Sequence, residues 1–212
     1  MATTTIVHLL RHGEVHNPSG ILYGRLPDFH LSALGRQMAE RASEALKDND
    51  VAIVTASPLE RAQETAGPVA AAHKLSIGVD PDLLEADNIF AGTAFSVDRL
   101  IKDPSVWKHL TNPFKPSWGE PYVELAGRMR SAVARAREEA RGREAVLVSH
   151  QLPIWIARLD MEGRRFVHDP RRRECSLASL TSLHFRDDEL QRVVYTEPSA
   201  DLVARSTKAT GA

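Results

Sequence analysis

The sequence has very little cysteine. Cys175 is the single cysteine among 212 residues, so the chain cannot form an internal disulfide or a multi-cysteine metal site. A free cysteine is commonly buried and unreactive, and we expect this of Cys175. Because disulfide frameworks belong to oxidising compartments, their absence is typical of a cytoplasmic protein.

Long apolar runs are also lacking. No stretch approaches the roughly 20 apolar residues that a membrane-spanning helix needs. Residues 1–5 lack the basic and apolar regions of a secretory signal peptide. We therefore expect no membrane association, which agrees with a cytoplasmic location.

The chain has no excess of charge of either sign. Its 27 lysines and arginines stand against 28 aspartates and glutamates, which gives a formal net charge of -1. A surface that follows nucleic-acid phosphates normally needs a basic excess, so we expect no nucleic-acid partner. Any anion site must be local. With no internal repeat or low-complexity tract, a chain of this length suits one domain.

Apolar strand-like runs alternate with amphipathic helical patterns along the chain. The strands are predicted at 6–10, 51–54, 75–79 and 145–148, and the helices at 31–47, 59–73, 122–141 and 153–161, with Ser32 capping the first helix. Two further runs, 176–185 and 190–195, flank Asp187-Asp188 as an antiparallel hairpin. This order predicts a three-layer α/β/α fold with a mostly parallel central sheet and an antiparallel edge.

The predicted domain covers residues 1–195 as one unit. Within it, residues 86–121 lack a regular apolar period and are rich in proline, which indicates an irregular cap or substrate segment. Its aromatic residues, Trp107, Phe114 and Trp118, could line the substrate pocket or simply pack this segment. The small, polar residues 196–212 are expected to form a flexible C-terminal tail.

Several polar residues follow the predicted strands or begin the next helix, namely Arg11, His12, Arg61 and His150. Because ligands gather at the carboxyl ends of parallel strands, these side chains can share one crevice. A neutral imidazole can attack phosphorus, and guanidinium groups bind phosphate oxygens in a fork. The pattern favours phosphoryl transfer but does not by itself choose among the nine histidines.

Four short motifs follow one another along the chain, namely Leu9-Leu10-Arg11-His12-Gly13-Glu14, Ser57-Pro58-Leu59-Glu60-Arg61-Ala62-Gln63-Glu64-Thr65-Ala66, Leu83-Leu84-Glu85 and Val148-Ser149-His150. In this order they resemble the histidine phosphatase superfamily, the phosphoglycerate mutase-like enzymes. Asn17, Gly24, Asp28, Leu31-Ser32 and Gly35 also fit the family pattern. Arg-His-Gly alone is a weak signal, whereas four ordered motifs spanning about 6–195 are specific.

The resemblance implies a role for each motif. His12 would be the phosphorylated nucleophile, Glu85 would protonate the leaving oxygen, and the phosphoryl group would be bound by Arg11, Arg61 and His150. The residues expected to contact the substrate are Asn17, Ser57, Gly24 and Gln151. The implied enzyme is a histidine acid phosphatase-type phosphomonoesterase that uses no metal and no cofactor, with a small phosphorylated metabolite as its partner.

The sequence also departs from the family pattern. Gln151 stands where glycine usually follows the histidine of the fourth motif, Val15 replaces a common threonine, and Phe90-Ala91-Gly92 replaces a Trp-Glu-Gly pattern. The insertion typical of the mutases is not recognisable. Hydrolysis is therefore favoured over cofactor-dependent phosphoglycerate mutase activity. A catalytically weak sensor that binds a phosphorylated ligand or a protein is a second alternative.

For some individual residues, the sequence leaves more than one interpretation open. Glu85 alone could be a solvated loop carboxylate, and His8, in the first strand, is expected to be a hydrogen-bonded core residue. A basic run comprises Arg164-Arg165 and Arg171-Arg172-Arg173. It could be a solvated surface, or it could meet a second anionic group of the substrate or a partner subunit. Both a monomer and a homodimer are compatible with the sequence.

Overall fold

A computed structural model of the protein describes residues 2–88, 91–92 and 119–206. Its centre is a six-stranded sheet formed by β1 (Thr4–Arg11), β2 (Val51–Ala56), β3 (Ile77–Val79), β4 (Glu144–Ser149), β5 (Leu180–Arg186) and β6 (Glu189–Thr196). The strand order is β3-β2-β4-β1-β5-β6. The first four strands of this order run parallel, whereas β5 and β6 are antiparallel to their neighbours. The predicted mostly parallel sheet with an antiparallel edge is confirmed.

Helices cover both faces of the sheet. They are α1 (Ala33–Leu46), α2 (Glu60–His73), α3 (Tyr122–Glu139), α4 (Gln151–Met161) and the short α5 (Ala200–Val203). Side chains of β1 alternate between the faces, so Val7 and Leu9 pack with α3 and α4, while Leu10 packs with α1 and α2. The three-layer α/β/α arrangement is thereby confirmed.

The start of α1 is fixed by the predicted cap. Ser32 has an extended backbone, and its Oγ accepts a hydrogen bond from the Gly35 N–H at 2.9 Å. The same hydroxyl donates to Glu14 Oε2 at 2.5 Å. The cap therefore also ties α1 to the loop that follows β1.

The hairpin begins later than the sequence predicts. β5 starts at Leu180 rather than at Ser176, because Ala178 has a left-handed backbone with φ 52° and cannot continue a strand. The Ala178 N–H instead donates to the His12 carbonyl oxygen at 3.3 Å. Residues 175–179 consequently cross the carboxyl end of β1.

Residues 197–206 pack against the domain, whereas the sequence predicts a flexible tail over 196–212. Leu202 in α5 is buried among the side chains of α1 and α2, and Ser199 Oγ donates to the Met38 carbonyl oxygen at 3.2 Å. This part of the predicted tail is therefore held on the domain by apolar burial and a buried hydrogen bond.

Little of the predicted cap segment is described. Of residues 86–121, the structure covers 86–88, 91–92 and 119–121, so Phe90, Trp107, Phe114 and Trp118 lie outside the described residues. The cap and the domain limits stay predictions. In the part of the chain that the structure describes, no helix is long and apolar enough to cross a membrane.

Candidate active site

The sequence-predicted catalytic residues meet at the carboxyl ends of adjacent strands. His12 follows β1, His150 follows β4, and Arg61 lies in the first turn of α2, just after β2. Since these strands are neighbours in the order β2-β4-β1, their loops converge. All three side chains are fully buried, and Arg11 and Glu85 are only 8% and 6% exposed. Such burial is unusual for charged groups and indicates a built polar site.

The tautomer of His12 follows from its hydrogen bond. Its Nδ1 lies 2.8 Å from the Gly13 carbonyl oxygen, which can only accept, so Nδ1 carries the proton in the neutral ring. The Nε2 atom is buried and has no hydrogen-bond partner within the described structure. His12 therefore presents an unoccupied lone pair on Nε2 to the site.

Electrostatics keep the His12 ring neutral. Burial is the main cause that lowers the pKa of His12 well below its ordinary value, and the positive charges of Arg61 and Arg11 lower it further. A neutral imidazole is the form that can act as a nucleophile. The surrounding cations that would bind an anion thus also keep His12 in its reactive form.

Two glycines allow the His12 loop to lie directly against the start of α1. A Cβ atom at Gly13 would meet the Gly35 carbonyl oxygen at 2.4 Å, and one at Gly35 would meet the Glu14 carbonyl oxygen at 2.0 Å. Neither position accepts a side chain without movement of the backbone. Thr65 adds a further tie, because its Oγ1 accepts from the Gly13 N–H at 3.1 Å.

The two buried arginines are anchored by carbonyl oxygens, and no carboxylate of the described residues forms an ion pair with them. Arg11 Nη1 donates to the Cys175 carbonyl oxygen at 2.7 Å, and Arg61 Nη2 donates to the Gly24 carbonyl oxygen at 2.5 Å. Arg11 Nε and the Nε and Nη1 atoms of Arg61 are buried without a hydrogen-bond partner in the described structure. The guanidinium carbon of Arg61 lies over the Tyr23 ring, 4.7 Å from its centroid. The free N–H groups are donors suited to an anion.

His150 lies beside His12, with 5.1 Å between the ring centroids. Its Nε2 is 2.9 Å from Ser57 Oγ, whereas its Nδ1 is buried and lacks a partner within the described residues. Ser57 Oγ also lies 3.4 Å from the Leu59 N–H, which can only donate. If the hydroxyl proton goes to Nε2, the proton of neutral His150 is on Nδ1, which can then donate to an anion.

Glu85 is placed by hydrogen bonds to its backbone. Arg25 Nε donates to its carbonyl oxygen at 2.6 Å, and Arg128 Nη2 lies 3.3 Å from the same oxygen. Glu120 binds both of these arginines through its carboxylate. Burial raises the pKa of the Glu85 carboxyl, and its Oε1 accepts from the Ala86 N–H at 2.8 Å. Glu85 is therefore not a solvated loop carboxylate.

The residues predicted to contact the substrate also make hydrogen bonds within the protein. Asn17 uses its side-chain amide on both backbone groups of Ile21, which holds the loop at 17–21. Gly24 has φ 43° and supplies the carbonyl that anchors Arg61. Gln151 Nε2 lies 3.4 Å from the Cys175 carbonyl oxygen, to which Arg11 also donates. Their contacts with substrate stay predictions.

Three residues of this site, Tyr23, Thr65 and Arg173, are not individually predicted from the sequence. Thr65 lies within the second motif and Tyr23 directly precedes Gly24, so their closeness to Arg61 and Gly24 along the chain could have indicated them. Arg173 was one of five arginines in the basic run, and its Nη1 lies 3.3 Å from Gln151 Oε1. Nothing in the sequence distinguishes it from its neighbours.

Two residues behave as the sequence predicts outside the site. His8 lies in the core with Nδ1 at 2.7 Å from Ser182 Oγ and Nε2 at 2.7 Å from Glu144 Oε2. Burial raises the pKa of Cys175 to about 11, so its thiol is unreactive at neutral pH. Among the described residues, no group of three or more His, Cys, Asp or Glu side chains could hold a metal ion.

Known proteins are similar to this chain over most of its length. An uncharacterized protein of Mycobacterium tuberculosis, Rv0525, is 56% identical over 201 residues, which are 94% of this chain and 100% of the relative. The probable phosphoglycerate mutase GpmB of Escherichia fergusonii is 32% identical over 153 residues, which are 70% of each chain. The solved structure of a mycobacterial glucosyl-3-phosphoglycerate phosphatase aligns with a TM-score of 0.74 and 25% identity, over 93% of this chain and 99% of that chain.

The family is shown by a match to the whole domain. The sequence model of the histidine phosphatase superfamily (branch 1) matches residues 7–198. This range contains all four motifs that carry the resemblance, and the fold agrees with it. The chain belongs to the histidine phosphatase superfamily.

Proposed function

We propose that the protein is a phosphomonoester hydrolase that acts on a small phosphorylated metabolite through a phosphohistidine on His12. The proposal rests on the buried Nε2 of His12 and the nearby buried guanidinium N–H groups of Arg11 and Arg61, none of which has a hydrogen-bond partner among the described residues. A lone pair next to preorganised cations is what attack on a phosphoryl group requires.

The first half-reaction transfers the phosphoryl group to the protein. The Nε2 lone pair of His12 forms a bond to phosphorus while the bond from phosphorus to the ester oxygen breaks. The proton of the Glu85 carboxyl goes to the departing oxygen, which leaves as an alcohol. A raised pKa suits this task, because it keeps Glu85 protonated nearer to neutral pH.

The second half-reaction regenerates the enzyme. Water attacks phosphorus, the N–P bond breaks, and the Glu85 carboxylate takes a proton from the water. Inorganic phosphate then leaves and His12 is neutral again. In both steps, Arg11, Arg61 and His150 would donate hydrogen bonds to the non-bridging oxygens, where negative charge is concentrated.

The simplest test of this function is turnover of an aryl phosphate. A sensor that only binds a phosphorylated ligand needs neither a nucleophile nor an acid, so hydrolysis with release of inorganic phosphate would separate the two functions. The proposal requires a small phosphorylated substrate, no cofactor and no nucleic acid or membrane. The single, buried Cys175 supports a reducing, cytoplasmic location for it.

Hydrolysis is expected to continue when divalent metals are removed. Arg11 and Arg61 already supply positive charge at the phosphate position, which is the task a metal ion performs in other phosphatases. We expect the rate on an aryl phosphate to change less than about twofold in excess chelator, and vanadate to inhibit as a phosphate analogue. Loss of most activity in chelator, restored by one divalent metal, would contradict this mechanism.

Hydrolysis is also expected to exceed mutase turnover. The relative named as a probable phosphoglycerate mutase keeps the second activity open, whereas the neighbour named as a glucosyl-3-phosphoglycerate phosphatase supports hydrolysis. We expect release of inorganic phosphate from 3-phosphoglycerate to outpace formation of 2-phosphoglycerate in the presence of bisphosphoglycerate primer. Efficient interconversion with little phosphate release would show that the mutase assignment is correct.

A further inference from the structure

Arg173 differs from the other arginines of the basic run. Arg171 pairs with Asp169, Arg164 pairs with Glu162, and Arg165 and Arg172 are exposed to solvent. Within the described structure, no ion pair joins Arg173 to a carboxylate, although its side chain is half-buried. A cation withdrawn from solvent without an opposite charge is electrostatically costly unless an anion binds to it.

Neutral groups hold the Arg173 guanidinium in place. His168 Nδ1 lies 2.6 Å from the Phe166 carbonyl oxygen and must donate to it, so Nε2 of the neutral ring is an acceptor. Arg173 Nε donates to this Nε2 at 2.8 Å, and Nη1 lies 3.3 Å from Gln151 Oε1. These contacts orient the guanidinium, and among the described residues no carboxylate compensates its charge.

A chain of contacts links Arg173 to the catalytic site. Gln151 follows His150 directly, and its side chain reaches both Arg173 and the Cys175 carbonyl oxygen, which also accepts from Arg11. Burial lowers the pKa of Arg173, and the charges of Glu85 and Arg11 are near enough to act on it as well. Arg173 thus lies near the residues proposed to bind the phosphate, on the side of Arg11 and Glu85.

The charges around the site exceed what a phosphate needs. Arg11 and Arg61 supply two positive charges, which match the two negative charges of a bound phosphomonoester dianion. Glu85 is neutral when it serves as the acid, and Arg25 and Arg128 already pair with Glu120. Arg173 is then left as a cation without an anionic partner among the described residues. A single cation with two of its nitrogens already engaged suits a single negative charge better than a second dianion.

We propose that Arg173 binds a carboxylate of the substrate, so that the preferred phosphomonoesters carry a carboxylate near the phosphate. This inference rests on the proposed function and names its substrate class. Gln151, which departs from the usual glycine, positions Arg173 for this contact. Because the single Nε hydrogen is donated to His168, the edge formed by Nη1 and Nη2 is the one left to donate two parallel hydrogen bonds to a planar carboxylate, which gives directional selectivity.

The test measures binding and hydrolysis separately. Binding is measured by calorimetry on His12→Ala with three pairs of ligands: phosphoglycolate and 2-hydroxyethyl phosphate, 3-phosphoglycerate and glycerol 3-phosphate, and 2-phosphoglycerate and glycerol 2-phosphate. Each pair differs by a carboxylate. We expect at least one pair to show about tenfold tighter binding of the carboxylate, which corresponds to about 1.4 kcal/mol.

The Arg173→Gln substitution in the same background is expected to reduce that ratio to near one. The matched control is Arg171→Gln, which removes an exposed arginine of the same run that pairs with Asp169, and it should keep the ratio. A ratio of binding constants would not change through a merely structural role of Arg173. If His12→Ala does not fold, the kcat/KM ratios of the same ligand pairs provide a second measurement. They are compared between the protein with His12 intact and its Arg173→Gln variant.

The outcomes separate the two proposals. Absence of carboxylate preference in all three pairs, or the same preference after Arg173→Gln, would overturn the Arg173 assignment. Carboxylate preference in binding without any release of inorganic phosphate would contradict the proposed hydrolysis and still support the anion contact at Arg173.

Discussion

Replacing His12 with alanine is expected to lower kcat/KM on every phosphomonoester by about 10⁴-fold or more. The substitution removes the Nε2 atom that attacks phosphorus. The other unpartnered imidazole nitrogen of the described site, His150 Nδ1, carries the proton when Nε2 accepts from Ser57 and then has no lone pair to offer. Without His12, water has to attack the phosphomonoester directly, and no covalent intermediate divides the reaction into two easier steps. Steady-state release of inorganic phosphate from an aryl phosphate measures the effect.

Binding should survive this substitution. Arg11, Arg61 and His150 keep their anchors on the Cys175 and Gly24 carbonyl oxygens and on Ser57, so vanadate should still bind to His12→Ala. The control is His73→Ala at the far end of α2, where Nε2 contacts the Leu46 carbonyl oxygen. It should retain activity. Near-normal turnover by a folded His12→Ala protein would exclude His12 as the nucleophile.

Replacing Glu85 with glutamine should produce an effect that depends on the leaving group. We expect alkyl phosphates to slow by about 10²–10³-fold and aryl phosphates by much less, because an aryl oxide leaves without full protonation. Glutamine keeps the shape of the side chain and lacks the transferable proton. The comparison of kcat on an alkyl and an aryl phosphate separates loss of the acid from a general disturbance of the site.

The pH dependence of the alkyl reaction provides a second measurement on the same variant. Burial raises the pKa of Glu85, so the acid keeps its proton to higher pH, and activity should fall as pH rises through that pKa. Bound phosphate raises it further, since like charges disfavour ionisation. Glu85→Gln should not show this fall in activity with rising pH, whereas Glu139→Gln, at an exposed position of α3, should still show it. Equal losses on both substrate types would rule out Glu85 as the acid.

Much of the fold could be predicted because its strands and helices differ in local pattern. The apolar runs of β1 and β4 and the periodicity of α1 are properties of consecutive residues, and the structure confirms them. The start of β5 could not be predicted, because the left-handed backbone of Ala178 depends on its bond to the His12 loop. Likewise, burial of Leu202 requires the surface that α1 and α2 form together.

Part of the candidate site could also be predicted from the sequence, and part of it could not. The loops with His12, Arg61 and His150 could be placed together because all three lie at the carboxyl ends of parallel strands. The burial of Glu85 depends on contacts between residues far apart in sequence, such as the bond from Arg25 to the Glu85 carbonyl oxygen. Arg173 could not be separated from its neighbours in the basic run, since the distinction depends on its partial burial and on its contacts with His168 and Gln151.

The central claim is covalent phosphorylation of His12 during turnover. Rapid quenching of the wild-type protein with labelled aryl phosphate should trap a phosphoprotein that is labile in acid and stable in alkali. Peptide mapping after quenching in alkali should place the label on His12, and its formation should be at least as fast as steady-state turnover. Label on another residue, or turnover with no labelled protein at any time under conditions that preserve phosphohistidine, would contradict the account.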